Sequence, residues 1–421
     1  MKTLEYVISG TSYMRLTNPS VSRDPINSAI VSNLFDVILK NKNSHTTSLL
    51  YNAFTESGFG SRFDPYKNNI KNIHADSGGL QMITLGKTIT DELKDKVYEN
   101  QAKYSDVGMC FDEIPIVIAN TSGKSDRNAV NDRYFDSVNF ETYARQTGKN
   151  IKRQLEVFEN HNSKCKPFVI LQGNCYDTYM QWYDYVMDEI PSSEYSRLGG
   201  IALGGAALGT GPLEDVQRAF IASQIPWHEE KMHLHILGVG SIRRLLPYLI
   251  FVQNGMYDRM QISYDSTTHS RAVETGLYYI DNYTLKYSRK KDNLYRTIYD
   301  DISRHIQLGI DLDTFYDILN QSSTKWKEQG LDFSKWIEVR TALCLCSIHN
   351  FMAQAEKMML NNSEILDYTN TLGLETQYRN LYNIKNVEDF KYWFNNPYLG
   401  GMMKTSAVAT EASATLEDCF N

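Results

Sequence analysis

Eight short apolar runs, often β-branched, punctuate the first two thirds of this chain. They are LEYVIS (4–9), TSLLYNAF (47–54), NIHAD (72–76), VGMCFDE (107–113), KPFVILQ ending at Gln172, GIALGG (200–205), HLHILGV (233–239) and QISYD (261–265). Each has the length of a strand buried on both faces. Stretches long enough for crossover helices separate many of them: 91–104, 143–161, 176–189, 213–223 and 241–255. Eight strands alternating with helices predict an α/β chain folded as a (β/α)8 TIM barrel. An open doubly wound sheet would give a similar pattern.

A barrel makes a second demand. Reactive side chains belong at the C-terminal ends of its strands, on the βα loops. Asp76 ends the third run, Asp112 and Glu113 the fourth and Gln172 the fifth. Gly204 and Gly205 end the sixth, Gly238 and Gly240 the seventh, and Asp265 the eighth. Beyond about residue 282 the pattern becomes charged, Tyr-rich and helical. This divides the chain into a barrel at 1–285 and, at 286–421, a closing helix with a helical C-terminal appendage. The small polar tail is expected to fray. No internal repeat is visible.

Composition narrows the class. Of 421 residues 42% are hydrophobic, enough for a large core, and no apolar run reaches the length of a membrane span. The N-terminus has no continuous apolar stretch of the signal-peptide kind. Six cysteines are sparse for this length, which predicts a reduced, cytoplasmic protein. A net charge of −7 argues against bulk coating by nucleic acid. A local basic track remains at 287–296, YSRKKDNLYR, where Arg289, Lys290 and Lys291 stand among tyrosines. Such a track suits phosphates and stacked bases, and an ordinary solvated loop has the same composition.

Five motifs carry candidate chemistry. HADSGGLQ (74–81) makes a tight turn at a strand end. Asp76 there can act on a ring nitrogen or a sugar, and Gln81 can reach a base edge; an Asx turn accounts for the residues equally well. In MCFDEIP (109–115) a continuing strand turns Asp112 and Glu113 to opposite sides. A single carboxylate at the mouth then matches the N1–H and exocyclic amine of a guanine-like ring. In ILQGN (170–174), Gln172 closes an apolar strand and needs a partner, either a ligand carbonyl or neighbouring backbone. GGIALGGAALG (199–209) lacks the dinucleotide-binding spacing and the P-loop lysine, leaving backbone N–H groups to read a purine carbonyl. After LGVGSIRRLL comes ISYDSTTHSR (262–271). Asp265 is the preferred nucleophile, since carboxylate attack at an anomeric carbon divides base exchange into two steps. His269 is read as a loop histidine rather than a base.

In this order and spacing the motifs resemble those of the tRNA-guanine transglycosylase family. The resemblance covers roughly residues 70–280 and rests on DSGGLQ, FDE, LQG, ALGG, LGVG and an aspartate with an arginine six residues on. It implies a (β/α)8 barrel with Asp265 as covalent nucleophile and Asp76 as the acid/base for the purine. Asp112, Gln172 and Gly205 would recognise the base, with Ser77, Gln81, Gly204 and Leu237 around it. Arg271, with Arg289, Lys290 and Lys291, would meet the polynucleotide.

Departures from the family pattern are also visible. Leu80 stands where the tRNA enzymes place a stacking aromatic, and STTHSRAVETG (266–276) replaces a PTR-type loop that helps read the anticodon loop. These changes resemble the viral and bacterial branch that exchanges guanine in DNA for a 7-deazaguanine such as 7-cyano-7-deazaguanine. The Asn-, Lys- and Tyr-rich composition suits a bacteriophage gene, acting in the host cytoplasm. The family's zinc site has a partial counterpart in Cys344, Cys346 and His349, but the segment is apolar and helical and Cys419 lies near the tail. Buried structural cysteines are therefore expected, with no metal and no redox cofactor or nucleotide triphosphate required. The expected partners are DNA and free guanine or 7-deazaguanine bases, with no membrane. Competing expectations are the same exchange on tRNA, a non-catalytic nucleic-acid-binding accessory subunit, and an unrelated barrel glycosidase.

Overall fold

The computed structural model of the chain describes residues 4–10, 47–55, 68–79, 88–118, 133–204, 212–280, 283–286 and 293–400. Eight parallel strands close into a barrel. They are β1 (Leu4–Ile8), β2 (Thr47–Asn52), β3 (Ile70–Asp76), β4 (Val107–Met109), β7 (Lys166–Leu171), β8 (Gly200–Leu203), β9 (Met232–Ile236) and β10 (Met260–Ser266). Each of the eight apolar runs supplies one of them. The open-sheet alternative is excluded because β1 pairs with β10, with Val7 opposite Asp265.

The strands read as continuous apolar runs because both faces are covered, the inner by side chains across the barrel and the outer by helices. All four residues of β8 are buried, as are the last five of β10. The covering helices include α1 (Asp91–Tyr104), α2 (Phe140–Asn160), α3 (Tyr176–Asp188), α4 (Pro212–Gln224) and α5 (Ile242–Gln253). Local capping sets several of their starts. The Thr90 hydroxyl accepts from Leu93 N at 3.3 Å, and the Ser241 hydroxyl from Arg244 N at 3.4 Å. Helix α2 begins three residues earlier than its periodicity suggests. Asp136 accepts from the backbone N–H groups of Val138 and Asn139 and so organises the turn ahead of it.

Two antiparallel hairpins were not expected. One joins β5 (Ile116–Ile118) to β6 (Arg133–Phe135) after the Asp112 loop. The other joins β11 (Leu277–Ile280) to β12 (Tyr283–Lys286) after the eighth barrel strand. Three- and four-residue strands are too short for alternation to announce them.

The C-terminal region is helical: α7 (Asn293–His305), α8 (Leu312–Asn320), α9 (Ser323–Glu328), α10 (Phe333–Leu360), α11 (Asn362–Thr371), α12 (Glu375–Leu381) and α13 (Val387–Asn395), α6 being the single turn Ala272–Thr275. The 28-residue α10 lies against the barrel seam. Its Phe351 ring meets Tyr6 of β1 at 5.8 Å and Tyr264 of β10 at 6.1 Å between centroids. Phe390 of α13 stacks on Phe220 of α4 at 4.0 Å. These helices cover barrel surface that α4 and α5 alone leave apolar. No helix among the described residues is long and apolar enough to cross a membrane.

Candidate active site

Asp76, Asp112, Gln172, Gly204 and Asp265 all sit at the C-terminal mouth, Asp76 and Asp265 on β3 and β10, Gln172 and Gly204 just after β7 and β8, and Asp112 on the loop after β4. Asp76 is the last residue of β3 and pairs with Asn52 of β2. It is half-buried, and that burial, reinforced by the nearby Asp265 carboxylate, raises its pKa to about 6. Backbone N–H groups of Ser77 and Gly78 and the nearby His235 ring oppose the rise without cancelling it. Gly78 makes this turn possible. Its φ is +75°, and a Cβ there would stand 2.8 Å from Phe54 Cβ and 2.9 Å from Asn52 Oδ1. The Ser77 hydroxyl is spent inside the turn, accepting from Gly79 N at 3.3 Å.

Asp112 is buried, and its Oδ2 accepts from Gln172 Nε2 at 2.6 Å. Burial lifts its pKa to about 7 although the Gln172 hydrogen bond pulls the other way; Asp76 and Glu113 add smaller upward pushes. Glu113 turns outward, where the buried Lys94 ammonium lies 3.3 Å from Oε1 and Asn150 stands close by. The FDE pair thus divides as expected, although β4 ends at Met109 and both residues lie in the loop after it rather than on a continuing strand.

Gln172 is held from a second side. A Cβ on Gly204 would fall 2.4 Å from its Nε2, so glycine is needed for the amide to lie where it does. Tyr179 fixes the Gly204 peptide by donating to its carbonyl at 2.6 Å. Gln172 Oε1 is buried without a hydrogen-bond partner among the described residues.

Across the mouth, Asp265 is held by one oxygen. Its Oδ1 accepts from Gly238 N at 3.2 Å and lies 3.3 Å from His235 Nε2. Its backbone carbonyl accepts from Val239 N at 2.7 Å, tying the LGVG turn to β10. Leu237 is half-buried beside that turn. Arg244 Nη1 donates to Gly238 O at 2.6 Å, and its guanidinium rests on the fully buried Asp215.

His269 is a structural residue, as read from the sequence. Its Nε2 donates to Gly240 O at 3.0 Å, its Nδ1 lies 3.1 Å from Ser347 Oγ, and its ring packs on Phe351 at 4.5 Å. Burial holds it neutral, with its pKa down at about 4. Arg271 is also buried and bonded to Glu274 Oε2 at 3.2 Å, in a hollow shared with Trp336, Arg340 and Cys344.

Cys344, Cys346 and His349 form no metal-ligating cluster among the described residues. Residues two apart on a helix face different ways. Cys344 bonds to the backbone at Ala272 and Val273, Cys346 lies beside Tyr278, and the His349 ring packs on His305 at 4.7 Å. Leu80, Gln81, Gly205, Arg289, Lys290, Lys291 and Cys419 lie outside the described residues.

Sequence reasoning missed His74, His233, His235 and Ser263, all inside the barrel. The available signal was HLHIL, where two polar residues at strand spacing share one face of an otherwise buried run. The family models searched give no match to this chain, and neither do the curated proteins.

Proposed function

We propose that this barrel is a pentosyltransferase that exchanges guanine in DNA for a 7-deazaguanine base through a covalent aspartyl-sugar intermediate. The observation that carries this reading is the pairing of Asp76 with Asp265 at one mouth. The charge of the second contributes to keeping the first protonated to about pH 6. The raised pKa of Asp76 suits a general acid, and Asp265, held through one oxygen, suits the nucleophile.

In the first step Asp265 Oδ2 attacks C1′ of the target deoxyguanosine. The bond to purine N9 breaks, and Asp76 gives its proton to the leaving base. In the second step an incoming 7-deazaguanine loses its N9 proton to Asp76 and attacks C1′, and Asp265 departs as a carboxylate. The Asp112–Gln172 pair supports a flat amide-bearing ligand over a sugar chain: the carboxylate accepts from N1–H and the exocyclic amine, and the glutamine amide contributes one further donor and one acceptor. A base inside a duplex cannot reach such a recess, so the substrate is a flipped or single-stranded nucleotide. DNA is preferred over tRNA on the Leu80 and STTHSR departures.

Incubation with labelled guanine and either DNA or tRNA tests this, followed by mass spectrometry of the nucleosides. Label in DNA is expected. Label in tRNA alone overturns the DNA assignment, and label in neither overturns the activity.

A further inference from the structure

Four polar side chains stand in single file on the inner face of β9 and β10, beneath the mouth. Asp265 Oδ1 lies 3.3 Å from His235 Nε2, His235 Nδ1 lies 2.9 Å from Ser263 Oγ, and Ser263 Oγ lies 2.8 Å from His233 Nε2. The register builds this file, since Ser263 pairs directly with His235. Strand alternation then places 233 with 235, and 263 with 265, on one face.

For an ionised Asp265 beside a neutral His235 ring, the hydrogens along the file have one consistent arrangement. An ionised carboxylate only accepts, so His235 Nε2 carries the hydrogen. In the neutral ring Nδ1 then accepts, and the Ser263 O–H points to it. The Ser263 oxygen in turn accepts from His233 Nε2–H. With the opposite His235 tautomer, a lone pair would face Asp265.

We propose that His235 is a positioning residue for Asp265, donating Nε2–H to Oδ1 in a tautomer locked by Ser263 and His233. The inference rests on Asp265 being the nucleophile. It assigns Oδ2, which has no hydrogen-bond partner among the described residues, as the attacking oxygen.

The chemistry gives the file a task. When Oδ2 bonds to C1′, Oδ1 becomes the carbonyl oxygen of the ester. In the second step the incoming N9 forms its bond to C1′, the C1′–Oδ2 bond breaks with its electron pair, and a carboxylate re-forms. The donors already in place at Oδ1, from His235 and Gly238, stabilise that returning charge as an oxyanion hole does. Losing one of them slows release of the sugar from Asp265 more than attack upon it.

Asp76 of β3 and His235 of β9 are the titratable groups near the Asp265 carboxylate, and Tyr6 of β1 feels its charge while packing on α10. Further down, His74 lies 5.4 Å from His235 between ring centroids, with Glu5 and Lys71 near His233. Burial, reinforced by the neighbouring rings, drives His74 well below the usual histidine range and His233 to about 3. Neither ring brings a cation that would displace the Asp265 contact.

The test compares the full-length protein with His235→Gln, His235→Phe and, as control, Asp265→Ala. Base exchange is measured together with the fraction of enzyme carrying covalent sugar, by intact mass. The expected result for His235→Phe is a kcat lower by about 100-fold with KM little changed and a larger steady-state adduct fraction. A glutamine places an N–H near the same point and is expected to recover most of kcat. Histidine 15N shifts, recorded without substrate, are expected to show the Nε2–H tautomer at His235, and a tautomer mixture in Ser263→Ala. A folded His235→Phe protein with wild-type kcat and adduct fraction overturns the proposal, as does an Nδ1–H tautomer in the wild type. Base exchange by Asp265→Ala would instead overturn the nucleophile reading on which the proposal rests. The tautomer measurement needs no turnover and separates the two failures.

Discussion

Gln172 donates to Asp112 Oδ2 at 2.6 Å while its own Oε1 is buried with no partner among the described residues. In the proposed reaction the free oxygen of this amide meets the base. Truncating such a group removes a substrate contact and leaves Asp112 without its donor. Gln172→Leu is expected to weaken guanine binding by about 10- to 100-fold, the cost of one or two unmade buried hydrogen bonds. Calorimetric titration with guanine checks it; unchanged affinity would show that the pair does not read the base.

Gly204 has no room for a side chain, because a Cβ would fall within 2.4–2.6 Å of the Gln172 amide. Gly204→Ala is expected to cost about 1–3 kcal/mol of stability through overpacking and to weaken base binding by displacing Gln172. The double variant Gly204→Ala with Gln172→Ala should recover part of that stability, since the two residues share one contact. Urea unfolding of the four members of the cycle measures the coupling.

Asp76 holds its proton to about pH 6 and Asp112 to about pH 7, against about 3.9 for an aspartate in an unfolded chain. Between about pH 4 and 7 the folded protein therefore binds protons that the unfolded chain releases, and stability falls as pH rises. Asn at position 76 removes the cost of that buried charge. Asp76→Asn is expected to be more stable than wild type by on the order of 1–2 kcal/mol at pH 8, with the difference vanishing near pH 4. Its base exchange should fall by about 100-fold or more for want of the acid. Denaturation at the two pH values, with an exchange assay, checks both halves.

His269 joins the loop after β10 to α10 through Ser347 and to the LGVG turn through the Gly240 carbonyl. His269→Ala is expected to destabilise the protein by about 2–3 kcal/mol. The pH dependence of exchange in the surviving folded protein should be unchanged. A lost limb in that pH profile would instead give His269 a proton-transfer role.

Much of the framework was legible in the sequence. All eight barrel strands coincide with the eight apolar runs, and α1 spans the 91–104 stretch read from periodicity. Strands and helices announce themselves through local spacing, and a residue at a strand's C-terminal end is at the mouth of any barrel the strand joins. This is why Asp76, Gln172, Gly204 and Asp265 could be placed at the mouth from their positions alone. The missed groups were interior ones. His235 and Ser263 sit in runs read simply as apolar, and nothing in either segment states that the two strands lie side by side.

Tertiary structure decided what local pattern cannot encode. Barrel closure is a pairing of Val7 with Asp265, residues far apart in the chain. Asp112 and Glu113 part in a loop beyond the end of β4, and Lys94 and Asn150, borne on two separate helices, hold Glu113 on the outward side. His269 became a brace only because α10 arrived with Ser347 and Phe351. The sequence determined which groups stand at strand ends, since backbone periodicity is a property of neighbours in the chain. Which groups face one another, and with what charge, was settled by packing, because burial and Coulomb coupling depend on distance in space.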